Sequence, residues 1–265
     1  MVALHRITPH PVALPGITAV TAQSARRFAR HSHDQFGIGL VLDGAQTSAS
    51  GRGQVWGQAG DIITVNPGEV HDGIPVDDRG RHWRMLYLDP AVMARLTDHP
   101  GEFSHPVLRN PALGRALHRL FAALTTTGLS LGAEADLVTL RAALDVRPKP
   151  ALPAPVARTV EALRDDPARA VTLAELAASA GLSRFHFLRS FARATGLTPH
   201  AFQLQSRLHL ARRLIAQGTA LAEAAQTAGF ADQSHLSRLF QRSYGLPPGA
   251  YARNFVQDRG QARRR

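Results

Sequence analysis

The sequence contains no cysteine. Disulfide frameworks, thiolate metal sites and cysteine nucleophiles are therefore excluded. It also has no apolar run close to the roughly 20 residues that span a bilayer. The proline-interrupted N-terminus shows no charged segment followed by an apolar core, so we read no signal peptide there. From these absences we expect a cytoplasmic location and no membrane partner.

Acidic residues are scarce in only one half of the chain. Residues 1–147 contain 14 arginines and 13 acidic residues, whereas residues 148–265 contain 17 basic and 7 acidic ones. The 265 residues, 44% of them hydrophobic, are enough for two globular domains. This division favours one domain that binds something small and another that meets a polyanion. A basic solvated surface without any partner would give the same charge.

Residues 1–89 are predicted to be rich in β-structure. Gly37–Leu42, Asp61–Val65 and Arg84–Leu88 are short apolar runs separated by turn residues. Several such strands favour a barrel or a sandwich. From Pro90 the spacing of apolar residues becomes helical, with one face repeated through Pro111–Thr125 and Ala133–Leu144. We expect the helices of residues 90–146 to cover the β domain, to pair two copies of the chain, or both.

A proline-rich segment separates the two halves. Residues 147–155, RPKPALPAP, contain four prolines and cannot form a helix interior, so they are predicted to be a semi-rigid linker. Residues 156–255 then read as an all-helical domain, and residues 256–265 as a disordered basic tail. The expected fold class is α+β multidomain, with an N-terminal β-barrel and a C-terminal all-α domain.

The helical domain contains an internal repeat. Leu173–Leu182 aligns with Leu221–Phe230, 48 residues later, and the similarity continues after one inserted residue. Each copy has a short amphipathic helix, a glycine turn and a second helix with basic residues, which is typical of a helix-turn-helix unit. Gly181 and Gly229 are expected in the left-handed conformation, with Ser183 and Asp232 as N-caps.

The second helix of each unit is predicted to be a recognition helix. If Phe187, Phe191, Leu236, Leu239 and Phe240 are buried, a set of mostly polar side chains faces a DNA groove. The set comprises Arg184, Phe185, Leu188 and Arg189 in the first unit, and Gln233, Ser234, Ser237 and Arg238 in the second. A helical repeat without a nucleic-acid role is the alternative. Two matching units in the basic half count against it.

The helix between the two units also carries arginines. We expect Arg207, Arg212 and Arg213 to face outward, where they can contact phosphate, and we include Arg212 among the DNA-binding residues. A rigid connection should place the recognition helices about 34 Å apart, one turn of double-stranded DNA.

The segment from Arg212 to Tyr251, with the preceding LSRFHFLRSFARATGLTP, closely resembles the AraC/XylS family of bacterial transcription regulators. The resemblance covers about 100 residues and implies an operator-binding protein that activates transcription, often by touching RNA polymerase. By position, it makes Arg189 and Arg238 DNA contacts. Phe185 and Leu188 are apolar where polar readers are common, so the first unit is expected to touch thymine methyl groups or to read fewer bases.

The N-terminal half resembles the cupin-like effector-binding domain of such regulators. The residues that carry this resemblance are HSHDQF, which contains His31 and His33, and GDIITVNPGEVH, which ends at His71. His31 and His33 point to one face of a strand because they are two residues apart. We expect these three histidines and Trp83 to contact a small-molecule effector, with Trp56 and Arg84 as further candidates.

Two other roles for the histidines stay open. The three could bind a metal ion, although the glutamate that cupin enzymes carry after the HxH pair is absent, or they could be structural or exposed at the barrel mouth. We expect no cofactor and no enzymatic activity. The alternatives to an effector-responsive homodimeric regulator are a cupin metalloenzyme or metal sensor with a DNA-binding appendage, and a nonspecific architectural DNA-binding protein.

Overall fold

A computed structural model describes residues 5–12, 14–51, 53–97, 101–127 and 131–253. These residues form two compact units, one up to Lys149 and one from Pro150 onward. The predicted basic tail, residues 256–265, lies outside the described residues. Within the described ranges, no helix is long and apolar enough to cross a membrane.

The first unit is built on an antiparallel sheet, as the alternation of apolar runs and turn residues predicts. The three predicted runs lie in its fourth, sixth and eighth strands. In chain order the strands of this unit are β1 (His5–His10), β2 (Ile17–Ser24), β3 (Phe28–His31), β4 (Phe36–Ser50), β5 (Gly53–Gln58), β6 (Ile62–Val65), β7 (His71–Pro75), β8 (Arg81–Leu88), β9 (Glu102–Phe103), β10 (Val107–Leu108) and β11 (Val146–Arg147). Strands β9 and β11 pair with each other in a separate two-stranded sheet.

The long strand β4 belongs to both parts of this sheet. Its first half pairs with β6 and β8, whereas its second half pairs with β5 and β7. Strand β3 pairs with β7, and in this pair His31 stands directly opposite His71. The pairing of β4 with β7 therefore connects β3 and β7 to the rest of the sheet, and the pairing of β3 with β7 brings two distant histidines together.

Three helices pack against this sheet: α1 (Pro90–Leu96), α2 (Pro111–Ala122), which continues as one π-helical turn to Thr127, and α3 (Leu131–Ala143). Their apolar side chains join those of the sheet in one core, which includes Leu117, Leu120 and Leu140. Burial of this apolar area is the main term that holds helices and sheet together. The predicted apolar faces are thus used inside the unit, while pairing of two copies stays a prediction.

The proline-rich segment is shorter than predicted. Arg147 lies in β11, where it pairs with Glu102. The first helix of the second unit, α4 (Ala154–Asp165), begins before Val156 and carries Pro155 in its first turn. A proline is tolerated there because the first helical N–H groups have no intrahelical partner. The stretch without helix or strand is therefore 148–153.

The second unit is all-helical, and two helix-turn-helix pairs flank one long helix. Its further helices are α5 (Leu173–Ser179), α6 (Arg184–Thr195), α7 (Pro199–Ala216), α8 (Leu221–Thr227) and α9 (Gln233–Tyr244). Helix α5 with α6, and α8 with α9, are the two copies of the sequence repeat. Helix α7 contacts α4, α6, α8 and α9, so it connects the two copies of the repeat.

The turns and caps of the repeat have the predicted geometry. Gly181 and Gly229 have φ angles of +66° and +79°, which side chains with a β-carbon disfavour. The side chains of Ser183 and Asp232 accept hydrogen bonds from the third backbone N–H of α6 and α9. These predictions, and the α+β fold class, are confirmed.

Candidate DNA interface and effector site

Helices α6 and α9 are amphipathic in the same register. In α6, Phe187 and Phe191 are fully buried, and in α9 Leu236 and Phe240 are fully buried. A residue two positions after the first buried one is rotated by about 200°, so it lies on the opposite face of the helix. The two helices therefore anchor one face in the core and present the other face outward.

The predicted DNA-contacting residues lie mostly on the outward faces. Leu188 and Ser237 are half-buried at the edge of these faces, as is Leu239, which had been predicted to lie in the buried seam. The remaining six side chains are exposed: Arg184, Phe185, Arg189, Gln233, Ser234 and Arg238.

Phe185 is a large apolar side chain in the solvent-facing part of α6. Its exposed fraction is 64%, and the Arg189 guanidinium carbon lies 5.3 Å from the centre of its ring. A cation over an aromatic face is weakly attracted to it and gains little where water competes. The pair forms a flat surface of mixed aromatic and cationic character on the outward face of α6.

The prediction for Arg212 is wrong. This side chain is only 5% exposed, and its Nη1 donates a hydrogen bond of 3.0 Å to the Tyr251 hydroxyl. It supports the inside of the second unit and cannot reach a phosphate from there. A single apolar face on α7 would leave Arg212 exposed. Helix α7 is packed on more than one side, however, so Arg212 is buried.

Arg207 also has an internal role, where an outward phosphate contact was predicted. It donates hydrogen bonds to the backbone carbonyls of Pro167, Ala168 and Gly229, at 2.7, 3.3 and 2.8 Å. The first two residues precede α5 and the third is the turn of the second helix-turn-helix unit. Arg207 thus connects the two helix-turn-helix motifs. Arg213, by contrast, is exposed as predicted.

In the first unit of the chain, His31, His33 and His71 form one cluster. Each offers a ring nitrogen, and these nitrogen atoms lie within 4.8 Å of one another. The ring centres are 4.5 Å apart for His31 and His71, and 4.9 and 5.2 Å from His33 to these two. The cross-strand pairing of β3 with β7 explains the first contact, and the two-residue spacing explains the second. The structure therefore brings together the three histidines that the sequence singled out.

Backbone carbonyls orient two of these rings. Nδ1 of His31 donates to the Ala29 oxygen at 2.8 Å, and Nδ1 of His71 donates to the Glu69 oxygen at 3.1 Å. A carbonyl oxygen only accepts, so Nδ1 carries the proton and the neutral ring has its lone pair on Nε2. Burial lowers the pKa of His71, against a smaller opposing effect of the Glu69 carbonyl, and so favours this neutral form.

Strand β8 supplies the wall beside the cluster. The Tyr87 ring centre lies 5.1 Å from that of His33, and burial raises the pKa of Tyr87 to about 12. Trp83 reaches the cluster through Phe28, whose ring lies between it and His31. Tyr87 and Phe28 were not predicted. The alternation along β8, which places Trp83 and Tyr87 on one face, could have identified Tyr87.

Arg81 is a buried cation next to these aromatic rings. It is 3% exposed, its guanidinium carbon lies 4.7 Å from the Trp83 ring centre, and burial lowers its pKa to about 10. The Gln46 side chain and the carbonyls of Ser24, Arg26 and Gly73 accept its hydrogen bonds. Arg81 therefore links β2, β4, β7 and β8 behind the cluster.

The two further pocket candidates are not part of this cluster. Trp56 is 45% exposed on β5. The Arg84 guanidinium carbon lies 5.0 Å from the centre of the Phe121 ring on α2, which places Arg84 on the helix-covered side of the sheet. Alternation along β8 separates it from Trp83.

Comparison with known proteins covers both units. The family described as AraC-like ligand binding domain matches residues 14–142, and the family described as helix-turn-helix domain matches residues 176–254. Together the two matches include the histidine cluster, α6 and α9.

Several relatives carry names that describe regulators. The transcriptional regulator YbfI of Bacillus subtilis is 29% identical over 225 residues, which are 80% of this chain and 82% of that protein. The MmsAB operon regulatory protein of Pseudomonas aeruginosa is 27% identical over 252 residues, 89% and 81% of the two chains. An AraC-like transcription regulator of Streptomyces lividans is 37% identical over 100 residues, 37% and 33% of the two chains.

Solved structures of ToxT from Vibrio cholerae share the fold. One superposes with a TM-score of 0.57 at 10% identity and covers 91% of this chain and 99% of ToxT. Another, which contains an unsaturated fatty acid, has a TM-score of 0.58 at 10% identity and covers 96% of both chains. With both family matches and the named relatives, the chain belongs to the AraC family of transcriptional regulators, with a ligand-binding domain followed by a helix-turn-helix DNA-binding domain.

Proposed function

We propose that one chain reads two adjacent major-groove segments of its operator, through the outward faces of α6 and α9. The observation that carries this proposal is the shared register of the two helices, which exposes Arg189 and Arg238 at equivalent positions. Helix N-termini that enter the major groove present such side chains to base edges. The excess of basic residues after residue 147 supplies attraction to phosphate.

The two helices divide the reading unequally. Arg238 and Gln233 on α9 suit guanine and adenine, because their side chains can form two hydrogen bonds to the edge of one base. On α6, Arg189 suits guanine, while the exposed Phe185 and the half-buried Leu188 suit the methyl groups of thymine. Arg184, Ser234 and Ser237 complete the two surfaces. We therefore expect α9 to contribute more of the sequence discrimination.

The test compares arginines at two positions along each recognition helix, one turn apart. R189A and R238A should each weaken operator binding about 10- to 100-fold, the loss of one good base contact, and should flatten the preference between operator and scrambled DNA. R193A and R242A remove exposed arginines one turn further along and are the matched controls. Fluorescence anisotropy with both DNAs measures the two affinities.

Two outcomes would argue against this assignment. If R189A and R238A lower the affinities for operator and scrambled DNA equally, these arginines contact phosphate and do not read bases. If the controls lose as much discrimination as the test variants, the reading surface lies elsewhere on the helices.

We further propose that a small-molecule effector contacts His31, His33, His71 and Trp83 in the first unit. Support comes from the match to a ligand-binding family and from the buried polar cluster beside aromatic side chains. An effector that binds the folded state must raise its thermal stability. A thermal-shift screen of the full chain with sugars, amino acids and aromatic compounds tests this. A hit whose shift persists in H33A would place the effector elsewhere.

Three finer assignments complete the proposal. The protein acts as an activator that contacts RNA polymerase, as its family membership favours, and it catalyses no reaction, because its named relatives are regulators. It also acts as a homodimer through residues 110–145, where Val138 on α3 is 66% exposed. Light scattering of the parent and of V138E tests the dimer. Equal masses at equal concentrations, both those of a monomer, would contradict it.

A further inference from the structure

The geometry of the histidine cluster points to a metal site inside the ligand-binding unit. We propose that His31, His33 and His71 bind one divalent first-row transition-metal ion, such as Zn²⁺, Ni²⁺ or Co²⁺, and leave coordination positions open for an oxygen-donor ligand. The metal deepens the proposed effector role of this site and in that respect rests on the proposed function.

The three histidines are already close to the spacing of metal ligands. Three nitrogens bound at about 2.1 Å to one ion lie roughly 3.0–3.4 Å from one another. In this structure the corresponding atoms already lie within 4.8 Å. The pairing of β3 with β7 therefore already holds three ring nitrogens close to the spacing that a shared ion requires.

Two of the imidazole rings are oriented as metal ligands commonly are. The carbonyls of Ala29 and Glu69 accept from Nδ1 of His31 and His71, so Nε2 is the ligand atom in both. Histidines that bind metals commonly donate their second nitrogen to a carbonyl or carboxylate in this way, which fixes the tautomer and the ring plane.

The donor atoms of the cluster select among metal ions. The described cluster consists of imidazoles alone, without a carboxylate. Neutral imidazoles suit Zn²⁺, Ni²⁺ and Cu²⁺, whereas Mg²⁺ and Ca²⁺ prefer oxygen ligands. Because three protein ligands leave a tetrahedral site incomplete, water or an effector oxygen completes it.

The groups around the cluster determine which ligand can complete the coordination of the metal. Tyr87 lies beside His33, with ring centres 5.1 Å apart. Arg81, behind Phe28 and Trp83, is a buried cation on this side of the sheet. A metal ion and Arg81 together make the interior positive, which favours an effector with a carboxylate or another anionic oxygen.

The experiment uses full-length protein stripped of metal with a chelator and titrated with Co²⁺ alone. Co²⁺ bound by three nitrogens at low coordination number absorbs visible light much more strongly than the aqueous ion. We expect one Co²⁺ per chain, and Zn²⁺ should displace it and remove the band. H33A should weaken binding by at least about 100-fold, while H118A, which removes an exposed histidine on α2, should bind like the parent.

Circular dichroism without metal shows whether each variant is folded. If H33A is not folded, H71Q, which keeps a polar side chain, replaces it. X-ray absorption of Co²⁺-loaded parent protein needs no variant and should show three imidazole ligands. Absence of stoichiometric Co²⁺, fewer than three imidazoles, or binding that persists unchanged in folded H33A or H71Q would each overturn the proposal.

A gel shift separates this inference from the proposed function. A parent protein that binds its operator but no Co²⁺ overturns the metal site and leaves the regulator assignment intact. A parent protein that binds Co²⁺ but no DNA of any sequence overturns the DNA-reading proposal and leaves the metal site intact.

Discussion

At the scale of single residues, Arg212 shows how one buried side chain can serve stability. Its guanidinium donates to the Tyr251 hydroxyl, and both residues are almost fully buried. R212A removes this partner, so we expect the free energy of unfolding to fall by about 1–3 kcal/mol. Chemical denaturation measures it, and R213A, at the exposed neighbouring arginine, should change it by less than about 0.5 kcal/mol. Unchanged stability of R212A together with weaker DNA binding would restore Arg212 as a DNA contact.

Residue positions could be predicted wherever one local period decides them. The spacing of His31 and His33 and the spacing of the buried phenylalanines in α6 are such cases. Arg212 was misplaced and Phe28 missed because their surroundings come from residues far away in the chain. Tyr251 is 39 residues from Arg212, and Phe28 meets Trp83 across the sheet. No local pattern contains those contacts.

At the scale of elements, the two helix-turn-helix turns use glycine for different reasons. A β-carbon on Gly181 would meet no atom within 4 Å, whereas one on Gly229 would lie 2.8 Å from the Ala168 backbone. G181A should therefore lower the free energy of unfolding by about 1–2 kcal/mol, because alanine must adopt the left-handed conformation there. G229A should cost at least about 1 kcal/mol more, because the backbone must move. Urea unfolding of both variants tests this, and equal losses would show that the Ala168 contact yields easily.

The first helices of the two units differ at their N-termini. Helix α5 begins with a complete capping box between Thr172 and Glu175, whereas the N-cap residue of α8, Ala220, provides no side-chain cap. Glu223 already occupies the third position of α8. A220S should therefore complete a second capping box and raise the unfolding free energy by about 0.5–2 kcal/mol. T172A should lower it by a similar amount. A destabilising A220S would contradict this view of the repeat.

Element types were easier to predict than element ends. The repeat, its glycine turns and its caps depend on residues within one turn of helix, and they were predicted correctly. The predicted linker is longer than the observed one because prolines are excluded from the interior of a helix but not from its first turn. Pro155 fits in the first turn of α4, and Arg147 joins β11 through a partner that is distant in sequence.

At the scale of the whole molecule, the charge is divided between the two units. Residues 148–265 carry 17 of the 31 basic residues but only 7 of the 20 acidic ones. On DNA with one binding site, log K should fall linearly with log salt, by about 0.9 for each phosphate neutralised. A fragment from Pro150 should show the same slope per chain as the full protein. A much shallower slope for the fragment would mean that the first unit also contacts DNA.

The three carbonyls held by Arg207 have a consequence for the operator. Pro167 and Ala168 precede one helix-turn-helix motif, and Gly229 lies in the other. A rotation of one motif relative to the other about the DNA axis would therefore break these hydrogen bonds. We therefore expect operator binding to depend on the helical phase of the two subsites as well as on their bases. About five base pairs inserted between the two subsites turn the second groove to the opposite side of the duplex. A promoter in which the spacing between the two subsites changes in this way should no longer bind the regulator, even if every contacted base is kept.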